Sequence, residues 1–280
     1  MTQTQTNGIR RLFAEIGDRQ ARMIMAILVL ACCALVWWVS VITGVPQDLN
    51  VSGSLLLQAH PVWAVFIAAV CLFVCLFISG WLAKFAYEES GLFVATFALM
   101  VIAGRAGAMR YVLFSAPYPG TFLLMAFELL LLYAWVALAW YVLRLVVPLS
   151  VHDSIGNGVS VMLVQAVVMA ACITFLAMSD LPGQAIMAVA VGALAGSMVA
   201  HLTFPVENDI WYWLGPLLVG LVGYLMAWQN PAGLQIGFPQ GALGALARPT
   251  PLAYASAGPA GAILGLWTAR PWQEPKEENK

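Results

Sequence analysis

Residues 121–147 read TFLLMAFELLLLYAWVALAWYVLRLVV, an apolar run with two charged side chains, Glu128 and Arg144. A helix needs about 20 mostly apolar residues to cross a hydrocarbon core of ~30 Å, and this run exceeds that length. It shows no alternation of apolar and polar residues, which excludes a strand of a membrane barrel. The stretch is therefore predicted to be a transmembrane helix.

The same pattern recurs along the chain. Segments of this kind predict seven clear spans and a weak eighth: residues 23–43, 60–83, 91–114, 121–147, 158–178, 184–204, 210–228 and, weakly, 252–268. The eighth is short and interrupted by Pro259, which leaves a broken or re-entrant helix open as an alternative. The sequence thus predicts an all-α, polytopic transmembrane helical bundle of about eight spans.

The composition of the whole chain agrees with this class. Apolar residues make up 62% of the 280 residues and charged residues 9%, whereas roughly a quarter of a globular protein is charged. So few charged groups cannot cover the surface of a soluble protein. The net charge of −1 also argues against a nucleic-acid partner, which requires a basic face on the protein. We therefore expect the lipid bilayer as a partner and no nucleic acid.

Positive charge predicts the orientation of the bundle, because cytoplasmic loops carry an excess of Lys and Arg. With the N-terminus inside, Arg248 lies outside, whereas Arg105 and Arg110 fall within the third span. The remaining positive residues lie inside: Arg10, Arg11, Arg19, Arg22, Lys84, Arg144, Arg270, Lys276 and Lys280. Without the eighth crossing, the last three of these would move outside and weaken the bias. Both termini are therefore predicted to be cytoplasmic, in a bacterial-type inner membrane.

The chain divides into three parts: a cytoplasmic N-terminal segment (1–22), a transmembrane helical domain (23–268) and a charged cytoplasmic tail (269–280). In the first part, apolar residues follow the i, i+3, i+4, i+7 spacing of a helix, with arginines between them: Ile9, Leu12, Phe13 and Ile16. This pattern predicts a short amphipathic helix on the inner leaflet. A tail whose positive charges only set the orientation is the alternative.

A group of charges inside the membrane is the strongest candidate for a functional site. Measured from the turn at residues 116–120, Glu128 lies at a depth between Arg105 and Arg110 on the adjoining antiparallel helix. Intramembrane charges usually pair or line a wet cavity, so an ion pair across this hairpin is predicted. A polar pocket for substrate or protons, and arginines that reach outward to lipid headgroups, are the alternatives. The excess of one positive charge favours an anionic ligand.

Small residues repeat every four positions in two of the predicted spans. They form a helix-packing ridge at Ala188, Gly192, Gly196 and Ala200 of the sixth span, and at Gly261 and Gly265 of the eighth. Such faces let helix backbones approach closely in lipid. The pattern favours packing within the bundle, while a homo-oligomer or partner membrane subunits docking through these Gly-rich faces are the alternative.

The sequence carries no catalytic motif, so we expect no enzymatic activity. His60, His152 and His201 fall on different faces of the membrane, and no metal, haem or other cofactor is expected. The function that these observations favour is a small-solute, anion-leaning permease or channel-like protein. The alternative is a non-catalytic structural or assembly subunit of a membrane protein complex.

Overall fold

The computed structural model describes residues 18–43, 53–84, 87–146, 155–179, 181–206, 208–230 and 243–273. Over these ranges the regular structure is helical, as the sequence predicts, and no strand occurs. Short 3₁₀ helices cover Gly80–Lys84 and Ala245–Ala247. The α-helices are α1 (Asp18–Ile42), α2 (Pro61–Ser79), α3 (Ser90–Arg105), α4 (Met109–Ser115), α5 (Gly120–Val146), α6 (Ile155–Leu176), α7 (Pro182–Thr203), α8 (Ile210–Gln229) and α9 (Pro251–Gln273).

Six of these helices are long and apolar enough to cross a membrane: α1, α2, α5, α6, α7 and α8. Their length and composition support the predicted multi-pass membrane protein, because each carries about 20 or more mostly apolar residues. Two further predicted spans, the third and the eighth, differ from these six in ways that bear on the candidate site.

The third span is not the continuous helix predicted over 91–114. Helix α3 ends at Arg105, and the chain leaves helical geometry at residues 106–108 before α4 begins at Met109. Gly107 causes the break, because its φ of 87° lies in the left-handed region that residues with a Cβ seldom adopt. The apolar composition of the segment carries no sign of this interruption.

The eighth segment is neither short nor broken, which corrects the prediction of a short span over 252–268 interrupted by Pro259. Helix α9 runs without interruption through Pro259 and is buried along nearly its whole length. It packs against α7, α3, α8 and α5 and forms the centre of the bundle. Pro259 removes one backbone hydrogen bond, to Ala255. The packing of the neighbouring helices keeps the segment helical, and the Tyr133 hydroxyl donates to the Tyr254 carbonyl at 3.2 Å.

The connections between helices gather at two ends of the bundle. The Glu89 end, as we name it, holds residues 80–84 and 87–90, the last turns of α5 and α9, and residues 204–206, 208 and 209. Side-chain ion pairs join these parts of the chain. The Ser54 end holds residues 53–60 and 243–250 and the start of α4. The predicted N-terminal amphipathic residues and the tail after Gln273 lie outside the described residues, so those two predictions remain untested.

Candidate functional site

Glu128 is a buried carboxyl on the longest helix of the bundle. It lies about 12 Å along the α5 axis from Gly120, at 1.5 Å per residue. Its side chain is fully buried, and its neighbours Leu129 and Leu132 belong to the apolar core. Because α5 is long and apolar enough to span the bilayer, we expect this carboxyl to lie within the hydrocarbon region. An ionisable group there is costly and marks a functional position by default.

The partners of Glu128 come from the connection between α1 and α2, here called the 53–58 segment. The Ser54 hydroxyl donates to Oε2 of Glu128. The backbone N–H of Leu55 donates to Oε1 at 3.0 Å, and that of Leu56 to Oε2 at 3.2 Å. A connection that hydropathy treats as a simple loop therefore reaches into the bundle and is anchored on a membrane carboxyl.

Packing holds the 53–58 segment in place as well. Leu55 is buried in the core, and a Cβ added to Gly53 would lie 2.3 Å from a methyl group of Val112 in α4. The Gln58 amide nitrogen is buried without a hydrogen-bond partner among the described residues. The segment thus closes the Ser54 end over Glu128 through close backbone packing and three hydrogen bonds.

The predicted ion pair between Glu128 and the two arginines does not form in the described part of the chain. Arg105 lies at the end of α3, half-buried, and Arg110 is exposed on α4. The Arg110 guanidinium lies 5.0 Å from the ring centre of Tyr111 and contacts its hydroxyl. The predicted hairpin is not present, because the helix that carries Arg105 ends at that residue and Arg110 belongs to a separate short helix.

Arg110 lies on the exposed face of the short helix α4. On α4, Val112 is buried while Arg110, Tyr111 and Phe114 are exposed. Arg and Tyr side chains on such a face reach toward the membrane–water interface, where the charged head stays wet. Because Arg110 is exposed and contacts Tyr111 rather than Glu128, we treat Glu128 as a separate site.

The ridge of small residues packs inside the chain. A Cβ added to Gly192 or Gly196 of α7 would approach α6, at 3.2 Å from the Met169 carbonyl oxygen and 2.7 Å from that of Gln165. Ala188 and Ala200 on the same face are buried. These four positions therefore bring α7 and α6 together, as the small residues of a membrane helix commonly do.

The two glycines of α9 serve the opposite side of α7. A Cβ on Gly261 would lie 2.3 Å from the Ala190 carbonyl oxygen, and one on Gly265 would lie 2.3 Å from that of Leu194. Both helices repeat the contact after four residues, so their backbones touch over a full turn. The central position of α9 depends on this approach, because a larger residue would clash with backbone atoms.

A buried ion-pair network closes the Glu89 end. Arg144 of α5 donates to Glu88 at 2.7 Å and to Asp209 at 2.6 Å. The Trp140 indole N–H also donates to Asp209, at 3.0 Å. Asp209 directly precedes α8, and Glu88 precedes α3, so a single guanidinium joins three parts of the chain. Burial raises the pKa of Asp209 and Glu89 raises it further, while Arg144 opposes this effect.

A second buried pair lies beside the first. Arg270 of α9 donates to both carboxylate oxygens of Glu89, at 2.6 Å and 3.2 Å, and the Trp267 indole N–H donates at 3.0 Å. Burial raises the pKa of Glu89, but the charge and hydrogen bonds of Arg270 and Trp267 outweigh it, so that its pKa lies below the usual value. Together the two arginines connect helices α3, α5, α8 and α9 at one end of the bundle.

Sequence reasoning missed the residues that carry these two sites. From the sequence, Arg144 and Arg270 indicate only the orientation of the bundle, and Glu88, Glu89 and Asp209 are not predicted to belong to a site. A signal was present, because all five residues fall at predicted inner boundaries of spans, where opposite charges meet. The role of Ser54 has no comparable signal, since a connection of mixed polar and apolar residues between two spans has no hydropathy pattern.

No protein-family model matches the chain. Searches of curated proteins and of solved structures give no significant match either. The class of the protein therefore rests on its own architecture. It is a multi-pass membrane protein built as an all-helical bundle, with a buried carboxyl near one end and a buried ion-pair network at the other.

Proposed function

We propose that the protein is a small-solute permease of a bacterial-type inner membrane, with both ends of its bundle closed in this structure. One observation carries the proposal: Glu128 is a buried membrane carboxyl that has uncharged partners and no cation partner among the described residues. Unpaired intramembrane carboxyls mark ion and substrate pathways in transporters. A residue that served only helix packing could be apolar and would avoid the energetic cost of placing an ionisable group in the membrane.

The two ends differ in how they are closed. At the Ser54 end, the 53–58 segment covers Glu128. At the Glu89 end, Arg144 and Arg270 hold the helix ends together through ion pairs. A closure that rests on a few polar contacts can open when those contacts exchange for water. We place the Glu89 end in the cytoplasm, because the excess of positive residues falls there.

The break between α3 and α4 and two prolines within continuous helices supply points at which the bundle can bend. Helices α3 and α4 are separated at Gly107, and α8 and α9 contain Pro216 and Pro259. The two proline helices meet where a Cβ on Gly258 would lie 2.5 Å from Pro216. Discontinuous and proline-containing helices are typical of transporters, whose helices change angle during transport. The proposal includes no preference for anions, since the charge cluster that suggested it does not assemble.

An osmotic assay tests permeation for anions and for uncharged solutes alike. Purified protein in liposomes would be mixed rapidly with hyperosmotic chloride, acetate, phosphate, urea or glycerol, and vesicle volume followed by light scattering. We expect faster volume recovery than in protein-free liposomes for at least one of these solutes. Liposomes that contain heat-denatured protein are the matched control. Recovery rates equal to both controls for every solute would contradict the proposal.

A specific surface favours the second candidate function, an assembly subunit of a membrane complex. Residues of α2, the following 3₁₀ helix and the last turns of α5 line an apolar groove of about 580 Å³ near the Glu89 end. Phe77 on its rim is 89% exposed. A transmembrane helix of another subunit would cover such a groove. Purification in a gentle detergent would then recover the chain with a stoichiometric membrane partner, whereas an isolated chain would contradict this alternative.

A further inference from the structure

Glu128 is closed off from water by a segment that offers it hydrogen bonds but no charge. The 53–58 segment supplies one hydroxyl and two backbone N–H groups. Tyr224 of α8 is a titratable group that interacts electrostatically with Glu128. Its hydroxyl donates a hydrogen bond to the Pro249 carbonyl at 2.6 Å. No charged side chain faces the carboxyl from any element packed against it within the described residues. A carboxylate in this position would be a buried charge without a counterion.

The donor set accommodates a neutral carboxyl without losing a contact. A hydroxyl both donates and accepts, so Ser54 can accept a hydrogen bond from a protonated Oε2. The N–H groups of Leu55 and Leu56 keep their places beside the carboxyl oxygens. A bound proton thus removes the buried charge and retains the three contacts that hold the segment.

We propose that Glu128 is a proton-binding site and that the proton stays bound while the 53–58 segment is closed. When the segment opens, the carboxyl meets the water at the Ser54 end and releases its proton as a carboxylate. Opening and proton release are therefore linked, and alkaline conditions favour the open segment. This inference names the ion that is linked to closure in the proposed permease, but its test does not require permeation.

Hydrogen–deuterium exchange of the Leu55 and Leu56 amides measures the opening directly. The full-length protein in lipid nanodiscs would be compared with Glu128→Gln at several pH values, from roughly pH 5 to pH 9. The variant mimics the neutral carboxyl, so its exchange corrects for the intrinsic effect of pH. The exchange rate of the wild type relative to the variant is expected to be near one in acid. It should rise by up to about 10-fold per pH unit once the carboxyl titrates, because one proton is released on opening.

Two further variants keep the test decisive. Glu88→Gln, at the Glu89 end, should retain the wild-type pH dependence. Ser54→Ala removes one donor, so exchange should be faster at every pH while the dependence on pH persists. If Glu128→Gln does not fold, the known intrinsic exchange rates of unprotected amides replace it as the reference for the effect of pH. The proposal would be overturned if the ratio of the wild-type exchange rate to the reference rate stays constant over the whole pH range, or if it falls as the pH rises. A linked opening without any osmotic permeability would instead contradict the permease and leave the proton site in place.

Discussion

Arg144 shows what a single charged residue contributes at the end of a membrane helix. Its guanidinium is almost fully buried, and so is the Asp209 carboxylate that it contacts, whereas the Glu88 carboxylate is half exposed. The Coulomb attraction of the buried pair is opposed by the cost of removing both groups from water. The pair therefore matters most when one partner is lost, because the other charge then stays buried without compensation.

Replacement of Arg144 tests this argument. Arg144→Met is expected to lower the free energy of unfolding by roughly 3–5 kcal/mol, the usual cost of leaving one partner of a buried pair. Glu88→Gln is the matched control and should cost less than about 1 kcal/mol, because its carboxylate is largely solvated. Denaturant unfolding in mild detergent measures both variants. Equal losses would contradict the assignment of Asp209 as the principal partner.

The pH dependence of stability tests Glu89. Its pKa is lowered in the folded protein, so its contribution is present above the unfolded value of about 4.3 and is lost as the pH falls through the folded pKa. Glu89→Gln should lower the melting temperature at neutral pH, and the further decrease in melting temperature in acid should be smaller than in the wild type. The pKa of Asp209 is raised in the folded protein, so the protein loses stability as the pH rises through that pKa. Asp209→Asn should make this loss of stability smaller. An acid limb that is unchanged in Glu89→Gln would contradict the buried Glu89–Arg270 pair.

At the scale of elements, the contact between α7 and α9 determines how the bundle is built. Helix α9 is less apolar than the six membrane-length helices, yet it occupies the centre, because neighbouring helices enclose it on nearly every side. Gly261 and Gly265 allow α9 to approach the backbone of α7. Close packing of this kind drives association in lipid, where apolar side chains gain little from leaving the bilayer.

A matched pair of glycine substitutions tests this contact. Gly261→Ala places a Cβ against the Ala190 carbonyl and is expected to destabilise the protein by about 1–3 kcal/mol through overpacking. Gly183→Ala, also within the helical bundle, meets open space and should be neutral or slightly stabilising, since Ala is the better helix former. Thermal unfolding of the two variants in the same detergent makes the comparison. Similar stabilities for both would show that α7 and α9 do not approach so closely.

Hydropathy predicted the elements better than their continuity. The six long apolar runs appear as helices because a membrane span is specified by length and composition, both of which are local. The break at Gly107 and the continuity of α9 through Pro259 depend instead on what packs around each residue. A left-handed glycine can interrupt an apolar run, whereas a proline in a well-packed helix removes only one hydrogen bond.

At the scale of the whole molecule, the polar groups are divided between two ends. Glu128 serves the Ser54 end, and the Arg144 and Arg270 pairs serve the Glu89 end. The sequence predicted that Glu128 would matter, because a carboxyl in an apolar run is costly wherever it pairs. It could not predict the partners, since two predicted spans separate Ser54 from Glu128, and two separate Arg144 from Asp209. Helical periodicity relates only residues within one helix.

The proposed orientation is testable with reporters fused to the C-terminus. If α9 crosses the membrane and the Glu89 end is cytoplasmic, a green fluorescent protein at the C-terminus should fluoresce and an alkaline phosphatase should be inactive. Fusions after Gln229, at the Ser54 end, should behave in the opposite way. Phosphatase activity at the C-terminus would contradict either the eighth crossing or the orientation.

The central claim is that Glu128 and the 53–58 segment, rather than Arg105 and Arg110, control access to the bundle from the Ser54 end. Osmotic recovery of proteoliposomes tests it most directly, with Glu128→Ala compared with Arg105→Gln and Arg110→Gln at equal amounts of folded protein. The account predicts that Glu128→Ala, which releases the segment, changes the recovery rate several-fold while both arginine variants stay near the wild type. A wild-type rate for Glu128→Ala together with a large change in either arginine variant would contradict it.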